Sequence, residues 1–185
     1  MLKKVLLAVA AALVVLAVVI ATRPSDYRIQ RTTRIAASPE VVYGQVASLR
    51  RWEAWSPWAK LDPGMKAEYG GPEAGPGATY HWSGNKAVGE GRMTVLDVRP
   101  AAQVRIHLEF LAPMKDEAIT TFGFAPAGDG TEVTWDMAGK MGFVGKAMCL
   151  VTSMDQVIGP DFEKGLAALK GVAEAQARSA TAEAQ

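Results

Sequence analysis

The chain opens with an unbroken uncharged run, Val5 to Thr22, apolar from Val5 to Ala21 and flanked by Lys3-Lys4 and Arg23-Pro24. At ~1.5 Å rise per residue a helix of this length just spans a thin hydrocarbon core. The rhythm then changes. Tyr27 to Ile35 alternates weakly and reads as a first strand. Ser38-Pro39-Glu40 marks a helix start, with serine as N-cap, proline at the first helical position and an acid in the first turn. Val42, Val46 and Leu49 give that helix one apolar face. A second short helix or turn carries Trp52, Trp55 and Trp58, and Asp62-Pro63-Gly64 closes it.

A β-rich section follows, in runs covering Lys66–Tyr69, Ala78–Ser83, Gly89–Val98, Gln103–Leu111, Glu117–Ala125 and Glu132–Lys140. The short connections between the later runs suit antiparallel neighbours. The cleanest alternation sets Val104, Ile106, Leu108 and Phe110 against Arg105, His107 and Glu109, so one face of the sheet is wet. By the same rule Val133, Trp135 and Met137, then Thr120, Phe122 and Phe124, then Tyr80 and Trp82, face inward. Met148, Val151, Met154, Ile158, Phe162, Leu166 and Leu169 recur at steps of three and four, predicting one long final helix with a kink near Gly159-Pro160. The domains expected are 1–23 as a membrane anchor or signal segment, 24–170 as one folded domain, and 171–185 as an alanine-rich polar tail.

Charge and cysteine content change little. Without Lys3 and Lys4 the formal net charge of +1 drops to −1, and no basic stripe is present, which argues against nucleic acid as a partner. A single cysteine, Cys149, excludes an intramolecular disulfide, and its place in the apolar stripe predicts burial. His81 and His107 lie far apart, with no metal-ligand spacing, nucleophile elbow or phosphate loop, so no metal or cofactor is expected. His107, on the wet face, is expected at the surface.

Two readings of the N-terminus compete. The paired lysines favour an anchor with its N-terminus in the cytoplasm, a single pass through the inner membrane and the domain on the periplasmic side. Alternatively, Val19-Ile20-Ala21 is an acceptable cleavage site and the domain is exported in soluble form.

Strand, two helices, a meander of strands and a long helix predict an α+β fold: a curved antiparallel sheet gripping the C-terminal helix. Trp55-Ser-Pro-Trp58, Trp82-Ser-Gly-Asn85 with Gly89-Glu-Gly91, Gly130-Thr-Glu-Val-Thr-Trp135 and Gly159-Pro-Asp-Phe-Glu-Lys-Gly-Leu166 resemble membrane-anchored bacterial members of the START-like, or SRPBCC, superfamily in its polyketide cyclase/dehydrase and lipid-transport group. The resemblance implies the helix-grip fold with a cavity between sheet and long helix. It leaves the activity open among carriers, cyclases, hydrolases and co-chaperone domains.

With that fold, the inward residues Tyr80, Trp82, Phe122, Trp135 and Met137, with Met148 and Met154 from the helix, either fill a core or line the cavity. Asn85, Glu90 and Asp155 are candidate polar cavity groups. Glu90 has small neighbours that permit close approach, while Asp155 has Lys140 or Lys146 as alternative partners. Trp52, Trp55 and Trp58, spaced by three, cap the open end of the sheet, gate the cavity mouth or dip into a membrane interface. The leading expectation is a membrane-tethered carrier or sensor for a hydrophobic small molecule or lipid. The rivals are a cyclase/dehydratase-type enzyme acting on an apolar carbonyl compound, and a protein-interaction module.

Overall fold

The computed structural model describes residues 1–183, so the last two residues of the expected tail lie outside it. Helix α1 covers Leu2–Thr22 and is long and apolar enough to cross a membrane. Three residues later comes strand β1 (Asp26–Ile35), then α2 (Pro39–Ala47) and a 3-10 turn (Leu49–Ala54). Six strands follow: β2 (Lys66–Gly70), β3 (Thr79–Ser83), β4 (Glu90–Arg99), β5 (Gln103–Ala112), β6 (Asp116–Ala127) and β7 (Gly130–Lys140). Two helices end the chain, α3 (Phe143–Met148) and α4 (Met154–Glu183). Every predicted strand is present.

The sheet order is β1-β7-β6-β5-β4-β3-β2, with every neighbour antiparallel. Register gives the sheet two distinct ends. At the near end, beside α1, Asp26 pairs with Lys140, Glu90 with Ala112, and Ser83 with both Glu90 and Lys66. At the far end, Ile35 pairs with Thr131 and Gly70 with Thr79. Helix α2 covers the far end: Val42 and Val46 are fully buried, and Tyr43 meets Phe124 edge to face at 6.0 Å.

Helix α4 lies along β1, held by ion pairs as well as packing. Arg31 donates to Asp155 at 2.7 and 3.1 Å and to Glu163 at 2.8 Å. Further along, Lys170 donates to the Arg34 carbonyl at 2.8 Å, and Glu174 accepts from the Ala36 amide at 2.9 Å. Phe162, Leu166, Leu169 and Ala173 form the buried stripe.

The expected single helix from Met148 to Leu169 is two helices. The chain leaves helical geometry between Met148 and Met154, and periodicity in residue type carried across that break because both sides are apolar. Met148 and Val151 are consequently exposed. Cys149 is half-buried, with its thiol 3.4 Å from the Met141 sulfur, and is not part of the core. Pro160 stands inside α4, which runs on to Glu183 through most of the segment expected as a tail.

Candidate functional site: an apolar cavity at the near end

Alternation divides each central strand between core and cavity. On β5, Val104 and Ile106 are fully buried beneath α2, whereas Leu108 and Phe110, nearer the α1 end, line an open space. That space has a volume of about 570 Å³, within the ~300–1,000 Å³ usual for small-molecule sites. Its walls are largely apolar. Tyr80 and Trp82 from β3, Met93 from β4, Trp135 and Met137 from β7, and Ile158 and Phe162 from α4 all contribute. The exposed lining residues Pro63, Ala87 and Val157 mark its mouth, and Glu53 and Ala67 mark a second margin beside β2.

Trp135 joins cavity and core. Its ring stacks on Phe162 at 3.9 Å and on Phe122 at 4.8 Å, while Trp52, Trp55 and Trp58 meet it edge to face at 6.3, 5.8 and 6.0 Å. Its indole N–H donates to Thr120 Oγ1 at 2.9 Å, and that hydroxyl donates to the Asp136 carbonyl at 3.0 Å. The polar edge is thereby satisfied without water, as a buried indole requires. Gly165 of α4 makes this packing possible, because a Cβ there would lie 2.7 Å from the Trp135 ring. Gly91 does the same for the opposite wall: a Cβ would occupy the place of the Trp82 ring edge. The Trp82 N–H is fixed by the Val88 carbonyl at 3.1 Å.

The structure redistributes several expected site residues. Phe122 is fully buried in the aromatic core and does not reach the cavity. Met148 projects from α3 into solvent, and Met154 packs at the core margin outside the cavity lining. Trp55 is no gate. It is 1 % exposed, its N–H donates to the Gln45 carbonyl at 3.2 Å, and burial with a satisfied donor holds it in the core. Trp52 is buried as well, donating to the Val46 carbonyl at 2.9 Å, though one edge meets the cavity. Of the three, only Trp58 is half-buried at the cavity.

None of the three polar candidates enters the cavity. Asp155 pairs with Arg31, not Lys140 or Lys146, and that guanidinium holds its carboxyl below the usual range. Lys140 faces Asp26, and Lys146 donates to the Ala21 carbonyl. Glu90 meets His81 at 3.2 Å on the outer face. Asn85 is tied into the β3–β4 loop: its side-chain oxygen accepts from the Ala87 amide at 2.8 Å, and its backbone N–H donates to Asp62 at 2.6 Å. His107, as expected, faces outward and meets Glu117 at 3.3 Å.

The polar groups that do border the cavity include Tyr69, Tyr80, Thr120 and the carboxylates of Glu53, Asp62 and Asp161. Asp62 and Asp161 already have protein partners, the Gly64 and Asn85 amides and the Lys164 ammonium respectively. Met93 and Tyr69, which sequence reasoning missed, obey the alternation that identified Trp82. Val88 sits in a loop and carried no such signal. Among the described residues, no group of three metal-ligating side chains comes together.

Burial pushes the Tyr80 hydroxyl up to about 12, with Tyr69 and Glu53 adding to the effect. Burial and Asp116 push Tyr27 to about 12 as well. Both stay neutral donors at physiological pH. Because the folded values lie above the ordinary 10, the contribution is whole below pH ~10 and lost as pH climbs through ~12. Tyrosinate absorbance and circular dichroism recorded together should show ionisation and loss of fold coinciding in that window. The chain has four tyrosines, so the decisive reading is the complete absorbance change: ionisation of all four near 10 in a still-folded chain would contradict the burial of both rings.

A curved antiparallel sheet closed by a long helix around an apolar cavity defines a helix-grip, START-like protein. The chain belongs to the polyketide cyclase / dehydrase and lipid transport family, whose sequence model matches residues 27–174. Solved structures agree on the fold. A Staphylococcus aureus protein of unknown function is 12 % identical, with TM-score 0.61, and the match covers 84 % of this chain and 98 % of that one. A Rhizobium leguminosarum protein is 15 % identical with TM-score 0.60, covering 82 % and 97 %. A Chromobacterium violaceum protein is 18 % identical with TM-score 0.56, covering 80 % and 96 %. At such identities the likeness concerns architecture alone. No curated protein matches the chain.

Proposed function

We propose that this protein is a membrane-tethered module that takes a hydrophobic small molecule or lipid into its helix-grip cavity, as a carrier or sensor. The observation that carries the reading is an apolar cavity of about 570 Å³ left open beside a tightly packed core. Burial is the driving force, at ~0.8 kcal/mol per methylene removed from water. Tyr80, Trp82, Trp135 and Met137 form the proposed ligand walls, with Trp58 at the rim and the Tyr80 hydroxyl as a donor for one polar group of the guest. Helix α1 serves as the anchor, with Lys3 and Lys4 on the cytoplasmic side, and keeps the mouth close to lipid-derived ligands, raising their effective concentration. Neither histidine faces the cavity, Glu90 and Asp155 are engaged outside it, and of the three bordering carboxylates Asp62 and Asp161 already hold protein partners while Glu53 stands at an exposed margin. Binding without turnover therefore has more support than a cyclase or dehydratase reaction.

The test is an environment-sensitive naphthalene dye added to the detergent-solubilised full-length chain. Saturable binding is expected, displaced by organic extract of the host membrane. Leu108→Trp places a large ring inside the cavity from the middle of a well-paired strand. It should weaken dye binding at least ~10-fold, equivalent to ~1.4 kcal/mol, while the thermal transition stays close to that of the parent. Equal dye affinity in Leu108→Trp and parent would remove the cavity from consideration as the binding site.

A further inference from the structure

The surface next to the end of α1 is unusually apolar. Phe143, Val144, Met148 and Val151 lie within the short segment of α3 and its following turn, and all four are exposed. Single exposed apolar residues are ordinary, but a contiguous group of large ones marks a contact surface. This group has a fixed position. Lys146 of α3 donates to the carbonyl of Ala21 at 3.3 Å, and the Met141 amide donates to the Ser25 carbonyl at 2.8 Å. Ile20 is the one buried residue of α1. Thus α3 is docked where the apolar run of α1 ends.

With α1 read as a membrane span, Ala21 and Thr22 lie at the boundary between hydrocarbon and headgroups. A helix packed beside that point sits one helix diameter away, ~10 Å, at headgroup depth. The β5–β6 turn is at the same end of the sheet, since Ala112 pairs with Glu90 and Ala118 with Gly139. It too is exposed and apolar, through Leu111 and Met114. Arg23 and Lys115 are exposed cations of this end, suited to lipid phosphates, while Lys140 faces Asp26.

We infer that α3 and the turn to Val151, with the tip of the β5–β6 hairpin, form a bilayer-docking face that seats the cavity mouth against the lipid surface. Its occupant is the headgroup and upper acyl region of the membrane that holds α1. Pro63, just before β2, and Ala87, in the β3–β4 connection, put the mouth at this same end of the sheet, so a guest enters from lipid without crossing bulk water. The inference rests on α1 being a span, and its test separates the two claims.

The full-length chain, with Cys149→Ala, is reconstituted in vesicles of phosphatidylcholine and phosphatidylglycerol. Single cysteines replace Leu13, Val144, Val151 or Arg105 and carry a polarity-sensitive dye. Dyes at Leu13, Val144 and Val151 should be quenched by spin-labelled lipid, and the dye at Arg105 only by aqueous iodide. Lipid quenching at Leu13 together with iodide quenching at Val144 and Val151 would leave the anchor intact and overturn the docking face. Shielding of Val144 and Val151 from both quenchers would also overturn it, pointing to protein as the occupant. No lipid quenching at Leu13 would overturn the anchor, and the inference with it. As a second readout, Val144→Ser with Val151→Ser should slow dye uptake from donor vesicles several-fold with affinity in detergent unchanged; unaltered uptake counts against the inference.

Discussion

Replacing Trp135 by alanine should destabilise the domain by ~3–5 kcal/mol and weaken dye binding at the same time. The ring is 2 % exposed yet forms cavity wall, so its removal costs packing and enlarges the cavity together. Phe162 loses its stacking partner, Trp52, Trp55 and Trp58 lose an edge contact, and Thr120 loses the N–H it accepts. Trp135→Phe separates these effects. It keeps most of the stack and drops the hydrogen bond, so its cost should fall well below that of alanine. Chemical denaturation of both variants, with dye titration on each, checks the expectation. Parent-like stability in Trp135→Ala would mean that the aromatic cluster does not organise the core.

Phe162→Ala should also cost ~3–5 kcal/mol, because this ring is 1 % exposed and carries α4 onto the sheet. Arg105→Ala provides the contrast. Arg105 bonds Asp97 at 2.9 Å on the outer face with both side chains nearly half exposed, and surface pairs of this kind contribute ~0–1 kcal/mol. Since Phe162 and Trp135 touch at 3.9 Å, the double variant should lose less than the sum of the two single losses. Equal, small losses for Phe162→Ala and Arg105→Ala would show that α4 is not packed as described.

The sheet was legible because its signals are local. Val104, Ile106, Val133 and Trp135 alternate with polar neighbours, and alternation alone decides which face each takes. Counting back along β4 from Met93 and Val95 puts Gly91 inward and Glu90 outward, so the outer-face place of Glu90 is legible from parity alone. Other placements depend on contacts distant in the chain. Asp155 is 124 residues from Arg31, and no local pattern names that partner over Lys140 or Lys146. Trp55 and Trp58 differ by three positions on one short segment, yet one is sealed in the core and the other borders the cavity. That distinction depends on where α4 lies. Met148 carried a misleading signal, because an apolar residue suits a buried stripe and an exposed apolar patch equally well.

Only Arg23, Pro24 and Ser25 separate α1 from β1, and Ser25 is already hydrogen-bonded to Met141. Three extended residues reach at most ~10 Å, so with α1 in a bilayer the domain has no slack. It cannot travel across an aqueous gap to a second membrane in the manner of a shuttle on a long leash. Under the tethered reading proposed above, a guest leaving this cavity would go back to the same leaflet or directly to a protein that comes to it, and the molecule would work as a fixed station on the membrane.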